Sequence, residues 1–293
     1  MDHWLLPTLI SAVALGFYDI CKKHAVHGNS VMPVLFLSTF SGTFFFILTA
    51  FAGGDIAAYF ACTPGELLLI FFKALLVSSS WVCVYYAMRE LPISLAAPVR
   101  SSSPMWTALG GIILYHEIPN VLQAVGMVVI LIGYVIFSFL GSVEGFNWKS
   151  RGMVLVILGT VAGAASAVYD KFLLNYAGVD RNVMQMYFSI YMVLVLGGAF
   201  LIRSCFGVKH QFCWRWTIPV TGILLILADY VYFYAVSLPD TPISMVSLVR
   251  RSMSCIVAFA VGSALFREVN IRRKVCALIL LISGIVLLAL GKM

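Results

Sequence analysis

The sequence predicts an all-α polytopic membrane protein of ten transmembrane helices, arranged as two inverted five-helix repeats. Three observations carry this: composition, the recurrence of long apolar runs, and self-similarity at an offset near 150 residues. Of 293 residues, 62% are hydrophobic and 11% charged, where a soluble domain carries roughly 25% charged residues. Mean hydropathy is +1.01. Runs of about 20 apolar residues recur from end to end, each long enough to cross a ~30 Å hydrocarbon layer as a helix.

Breaks at Pro, Gly and charged residues set the spans at 4–24, 31–52, 66–88, 92–115, 121–141, 152–176, 184–203, 216–238, 243–266 and 274–291. The opening "MDHWLLP" lacks a basic segment, and no small-residue cleavage site follows its apolar run, so it reads as the first span rather than a leader. Connections such as "RELP", "YHEIPN" and "SLPDTP" leave no room for a soluble domain. The seven cysteines form no CxxC and mostly lie in apolar runs, where they act as small hydrophobes. The net charge of +7 is not gathered on one soluble face, which argues against a nucleic-acid partner.

The repeat is explicit. "PISLAAPVRSS" from Pro92 and "PISMVSLVRRS" from Pro242 share Pro, Ile, Ser, Val, Arg and Ser at matching positions. "FYDICKK" at Phe17 answers "VYDKFLL" at Val168, and Glu117 answers Glu268. The halves are therefore 1–146 and 147–293. Five spans per half is odd, so the second half must enter from the opposite face. Such inverted repeats hold solutes at their interface in secondary transporters.

Orientation follows from the basic residues. Twelve of the nineteen lie in loops after odd-numbered spans, while Arg181 and Lys292 stand on the opposite side. The positive-inside rule then puts the odd–even loops in the cytoplasm and both termini outside, in the cell (inner) membrane.

Charges inside the spans are the candidate functional residues, since a charge at mid-bilayer costs about 2.5–3.5 kcal/mol on insertion scales. Arg100 is eight residues past Pro92, about 12 Å in from one face, and Arg250 lies equally far from the other. With Arg251 beside it, the set reads as an anion site or as structural ion pairs. Asp19, Asp170 and Asp229 are charge-balancing or proton-coupling carboxylates. Asp19 and Asp170 are expected to hold Arg100 and Arg250 in the empty state. Lys171 is either a paired residue or a cavity cation, and Lys73 is expected to snorkel outward. Tyr86 and Tyr234 occupy corresponding positions before the arginine repeats and are the preferred cavity-lining pair. Glu117 and Glu268 read as helix-end residues.

His24 and His27 have no third ligand nearby, so no metal is expected. HExxH, GxSxG and P-loop motifs are absent, which argues against an enzyme and against a nucleotide or other cofactor. Transport would be secondary, by a monomer, with exchange of a counter-anion or coupling to protons.

"SSSPMWTALGGIILYHE" in span 4 and "ALFRE" closing span 9 resemble the drug/metabolite transporter superfamily, in its EamA-type ten-helix branch. Pro104, Trp106, Thr107, Ala108, Leu109 and Glu117 carry the first copy of the pattern; the second lacks the Pro and keeps Glu268. The resemblance implies ten helices in inverted repeats and secondary transport. Arginines on helices 4 and 9 are similar to those of the superfamily's sugar-phosphate translocators, which implies a phosphorylated or carboxylated metabolite as substrate. Family members more often keep their termini inside, the reverse of the charge bias here. The alternative is an exporter of amphipathic, aromatic or lipid-linked metabolites, with the arginines structural.

Overall fold

The computed structural model describes residues 3–54, 56–90, 99–100, 102–139, 150–206, 211–266 and 271–291. The described residues hold ten helices of thirteen residues or more: α1 Leu5–Val26, α2 Val31–Ala52, α3 Pro64–Glu90, α4 Ser103–Tyr115, α5 Val121–Phe139, α6 Arg151–Lys171, α7 Arg181–Cys205, α8 Thr217–Ser237, α9 Ile243–Phe266 and α10 Ile271–Leu290. A five-residue helix, Ile56–Phe60, sits between α2 and α3. No strand occurs among the described residues. Seven of these helices are long and apolar enough to cross a membrane (α1, α2, α3, α6, α7, α8 and α9). Span 4 was expected from residue 92, but residues 91–98 and 101 lie outside the described part, as does Glu268.

Helix starts follow from local chemistry. Every backbone polar group must find a partner in or near hydrocarbon, so the ends are closed by side chains. Thr63 and Glu66 form a reciprocal capping box at the start of α3: the Thr63 N–H donates to Glu66 Oε2 at 2.6 Å, and the Glu66 N–H donates to Thr63 Oγ1 at 3.3 Å. Asn120 and Gln123 repeat the device at α5, and Asp180 accepts from the N–H groups of Asn182 and Val183 at α7. One helix end departs from the expected pattern. Span 6 leaves α geometry after Lys171 and finishes as a π-turn, Phe172–Tyr176.

Packing mirrors the sequence repeat. α1 packs on α8 and α9, and α6 packs on α3 and α4; α2 packs on α8, and α7 on α3. Replacing each helix by the one five places along, cyclically, turns each of these pairs into another. The pairs α5–α10, α2–α7 and α4–α9 map onto themselves. Two of the contacts need glycine. A Cβ on Gly222 would stand 1.8 Å from the Ser38 carbonyl oxygen, and one on Gly284 would stand 2.9 Å from that of Gly126. Small residues of this kind let helix backbones touch where lipid supplies no hydrophobic drive. The centre is filled by fully buried side chains, among them Ile70, Met184, Phe233 and Leu248.

Candidate solute site between the two halves

Six helices, α2 and α3 from the first half and α6 to α9 from the second, surround a cavity of about 210 Å³. Its wall carries four charged side chains: Lys73, Asp170, Asp229 and Arg250. Lys73 Nζ donates to Asp170 Oδ1, and both residues are buried. The ammonium also faces the rings of Phe188 and Phe233, 4.5 and 4.9 Å from their centroids, an electrostatic attraction that strengthens on desolvation. Arg250 Nη2 donates to Asp229 Oδ1 at 2.7 Å. Its Nε donates to Ser11 Oγ at 2.9 Å, and that hydroxyl donates onward to the Ala228 carbonyl at 2.6 Å.

Tyr232 joins the two pairs. Its ring centroid lies 4.2 Å from the Arg250 guanidinium carbon, and its hydroxyl is within electrostatic range of Asp170. The wall therefore carries two cations and two carboxylates, which sum to zero. That balance is what a buried charged group requires, because each ion loses several kcal/mol of hydration and recovers it only through close, well-bonded partners.

A second, more open cluster lies on α1 and α9, with Arg100 just before α4. Arg251 Nη1 stands 3.8 Å from Asp19 Oδ2, their side chains 40% and 33% exposed, and Ser254 Oγ donates to the same carboxylate at 3.4 Å. The half-buried Arg100 is within electrostatic range of both Asp19 and Arg251. Arg250 and Arg251 are neighbours in sequence, yet they serve different clusters because consecutive helical residues point about 100° apart.

A third group ties the halves together. Lys171 Nζ donates to Glu117 Oε1 at 2.7 Å and to the Thr241 carbonyl at 2.8 Å. Glu117 in turn accepts from the N–H groups of Ile243 and Ser244, at 2.8 and 2.9 Å, capping the start of α9.

Several expected placements change. Arg250 is held by Asp229, and Asp170 holds Lys73, so the expected Asp170–Arg250 pair does not form. Lys73 does not snorkel outward; it is 2% exposed and reaches into the cavity. Lys171 belongs to the Glu117 clamp and not to the cavity wall. Tyr86 and Tyr234 are both exposed and do not line the cavity. Arg203 Nη1 donates to the Tyr86 hydroxyl at 3.4 Å, and the Arg181 guanidinium lies 4.7 Å from the Tyr234 centroid.

Two signals pointed to the residues that sequence reasoning missed. Lys73 and Asp170 sit about 10 and 9 Å from the same face when counted along their spans, so depth alone matches them. Tyr232, not Tyr234, shares a helix face with Asp229 at i,i+3. Among the described residues, no group of three or more His, Cys, Asp or Glu could hold a metal ion.

The fold matches a solved crystal structure with a TM-score of 0.78 at 14% identity, covering 98% of this chain and 97% of that one. No curated protein matches the chain in sequence. Residues 3–139 match the EamA-like transporter family. With seven helices able to cross a membrane, the chain is a multi-pass membrane protein, and the similarity of its residues 3–139 is to the EamA-like transporters of the drug/metabolite transporter superfamily.

Proposed function

We propose that the chain is a secondary transporter that moves a small phosphorylated or carboxylated metabolite by alternating access, with the cavity between the halves as its solute site. The observation that carries this reading is Arg250, a guanidinium on the wall of a cavity built from both halves. Its planar fork suits carboxylate and phosphate bidentately. A volume of about 210 Å³ lies below the roughly 300–1,000 Å³ of sites for drug-sized ligands, which favours a small solute.

Charge balance then constrains coupling. The empty wall is neutral, so an anion that takes Arg250 leaves Asp229 without its partner. A proton on that carboxylate, or departure of a second anion as the first arrives, restores neutrality. The cluster of Arg100, Arg251 and Asp19 is the corresponding station on the other side, reached as the halves rock. The exchange symmetry of the helix packing supports two inverted repeats of five membrane-crossing helices, with α4, α5 and α10 completing the ten. The basic-residue bias supports termini outside, in the cytoplasmic membrane, and the reading is of a monomer.

A second reading is favoured by one observation: all four wall charges already have partners. In that case the arginines are structural and the solute is amphipathic, aromatic or lipid-linked. Counterflow in proteoliposomes loaded with phosphorylated or carboxylated metabolites separates the two. Arg250→Gln and Arg100→Gln are each expected to abolish anion flux. Wild-type rates and affinities in both variants would overturn the anion reading.

A further inference from the structure

Gln185 is fully buried on α7 and lines the cavity. Neither its Nε2 nor its Oε1 has a hydrogen-bond partner among the described residues. It is exceptional on this wall. The four charges are paired, while Ser189 and Thr39 donate to carbonyls of their own helices, those of Met186 and Leu35. Ser80 donates across to the Gly159 carbonyl. Burying an amide with both ends unbonded is unfavourable, and such groups in folded proteins call for an explanation.

We infer that Gln185 is a specificity-determining residue whose amide recognises an uncharged donor–acceptor group of the solute, a carboxamide or a hydroxyl. This rests on the reading of the cavity as the solute site, and it narrows the substrate class. The solute is a small acid that also carries an amide or alcohol, rather than a purely hydrocarbon acid. The two ends of Gln185 offer one donor side and one acceptor side, the complement of a primary amide or an alcohol. A site built to bond such a group rejects the analogue that lacks it, because its own buried amide is then left unpaired.

The test uses the full chain in detergent and two matched pairs of probes. Succinamate and levulinate share a skeleton and differ by NH₂ against CH₃; lactate and propionate differ by a hydroxyl. The concentration giving half-maximal thermal stabilisation is measured for each, in wild type and in Gln185→Leu. Wild type is expected to prefer succinamate over levulinate and lactate over propionate by at least about tenfold. Gln185→Leu should level both pairs. Without ligand, that variant should melt no lower than wild type, since an unpartnered amide is replaced by an apolar group of similar size. A wild type that binds these acids without discriminating within either pair overturns the inference and leaves the anion reading standing. A ligand-free Gln185→Leu that melts well below wild type, or fails to fold, also overturns it, because the amide then has a structural partner. If neither these acids nor inorganic phosphate stabilise either protein, the anion reading fails and the inference fails with it.

Discussion

At the scale of single residues, the cavity shows how ionised groups are kept in a hydrocarbon-spanning bundle. Lys73 and Asp170 each offset the other's lost hydration, and two aromatic faces add to the ammonium's surroundings. Removing one member leaves its partner charged and buried, which typically costs about 3–5 kcal/mol, whereas removing both is often close to neutral. Lys73→Met and Asp170→Leu are therefore each expected to lower the thermal midpoint in detergent sharply. The double variant should melt nearer to wild type than either single one. Tyr232→Phe probes the link between the pairs: the ring stays over Arg250 while the hydroxyl near Asp170 is lost. Its expected result is slower counterflow with little change in melting temperature. The charges of this site were legible in the sequence, because an Asp or Arg deep in an apolar run stands out. Their pairing was not, since the repeat points to symmetry-related positions while partners are chosen by depth and helix face. Tyr234 matched Tyr86 by the repeat, yet it is two residues from Tyr232 and so turns to the opposite side of α8.

At the scale of elements, the start of α9 depends on a residue from the other half of the chain. Glu117 accepts two backbone N–H groups there and pairs with Lys171, so the end of α4, the end of α6 and the start of α9 form one clamp. Loss of an N-cap acceptor alone costs about 0.5–2 kcal/mol. Here Lys171 would also lose its carboxylate partner, keeping the Thr241 carbonyl and the face of Tyr115. Glu117→Ala is expected to destabilise by roughly 2 kcal/mol or more, and adding Lys171→Met should cost little further, because the two changes break the same contact. Thermal unfolding of the two single variants and the double variant measures that coupling. Sequence reading placed Glu117 at a helix end correctly but could not supply its partners, which lie 126 and 127 residues away. Local caps such as the Thr63–Glu66 box are legible because they close within four residues. The π-turn at Phe172–Tyr176 left no periodicity signal of its own.

At the scale of the whole molecule, the expected orientation in the bilayer rests on the distribution of basic residues between the loops. The main helix pairs map onto one another when the two halves are exchanged, so packing gives little preference for either face outward, and the loops carry the asymmetry. Lys and Arg in short cytoplasmic loops bias insertion, at about 2.3 kcal/mol per elementary charge per 100 mV moved against the membrane potential. With twelve basic residues after odd-numbered spans against Arg181 and Lys292 opposite, the bias favours a single orientation. The expected orientation puts both termini outside, the reverse of what family resemblance suggests, so the measurement discriminates sharply. Single cysteines placed by Asp2→Cys, Lys149→Cys, Arg272→Cys and Lys292→Cys, on a background lacking the seven native cysteines, are labelled in intact cells with a membrane-impermeant maleimide. Positions 2 and 292 should react from outside, while 149 and 272 should react only after the membrane is opened. Labelling of 149 and 272 in intact cells, with 2 and 292 protected, would show the chain inserted the other way, and Arg100 would then be the arginine nearer the outside.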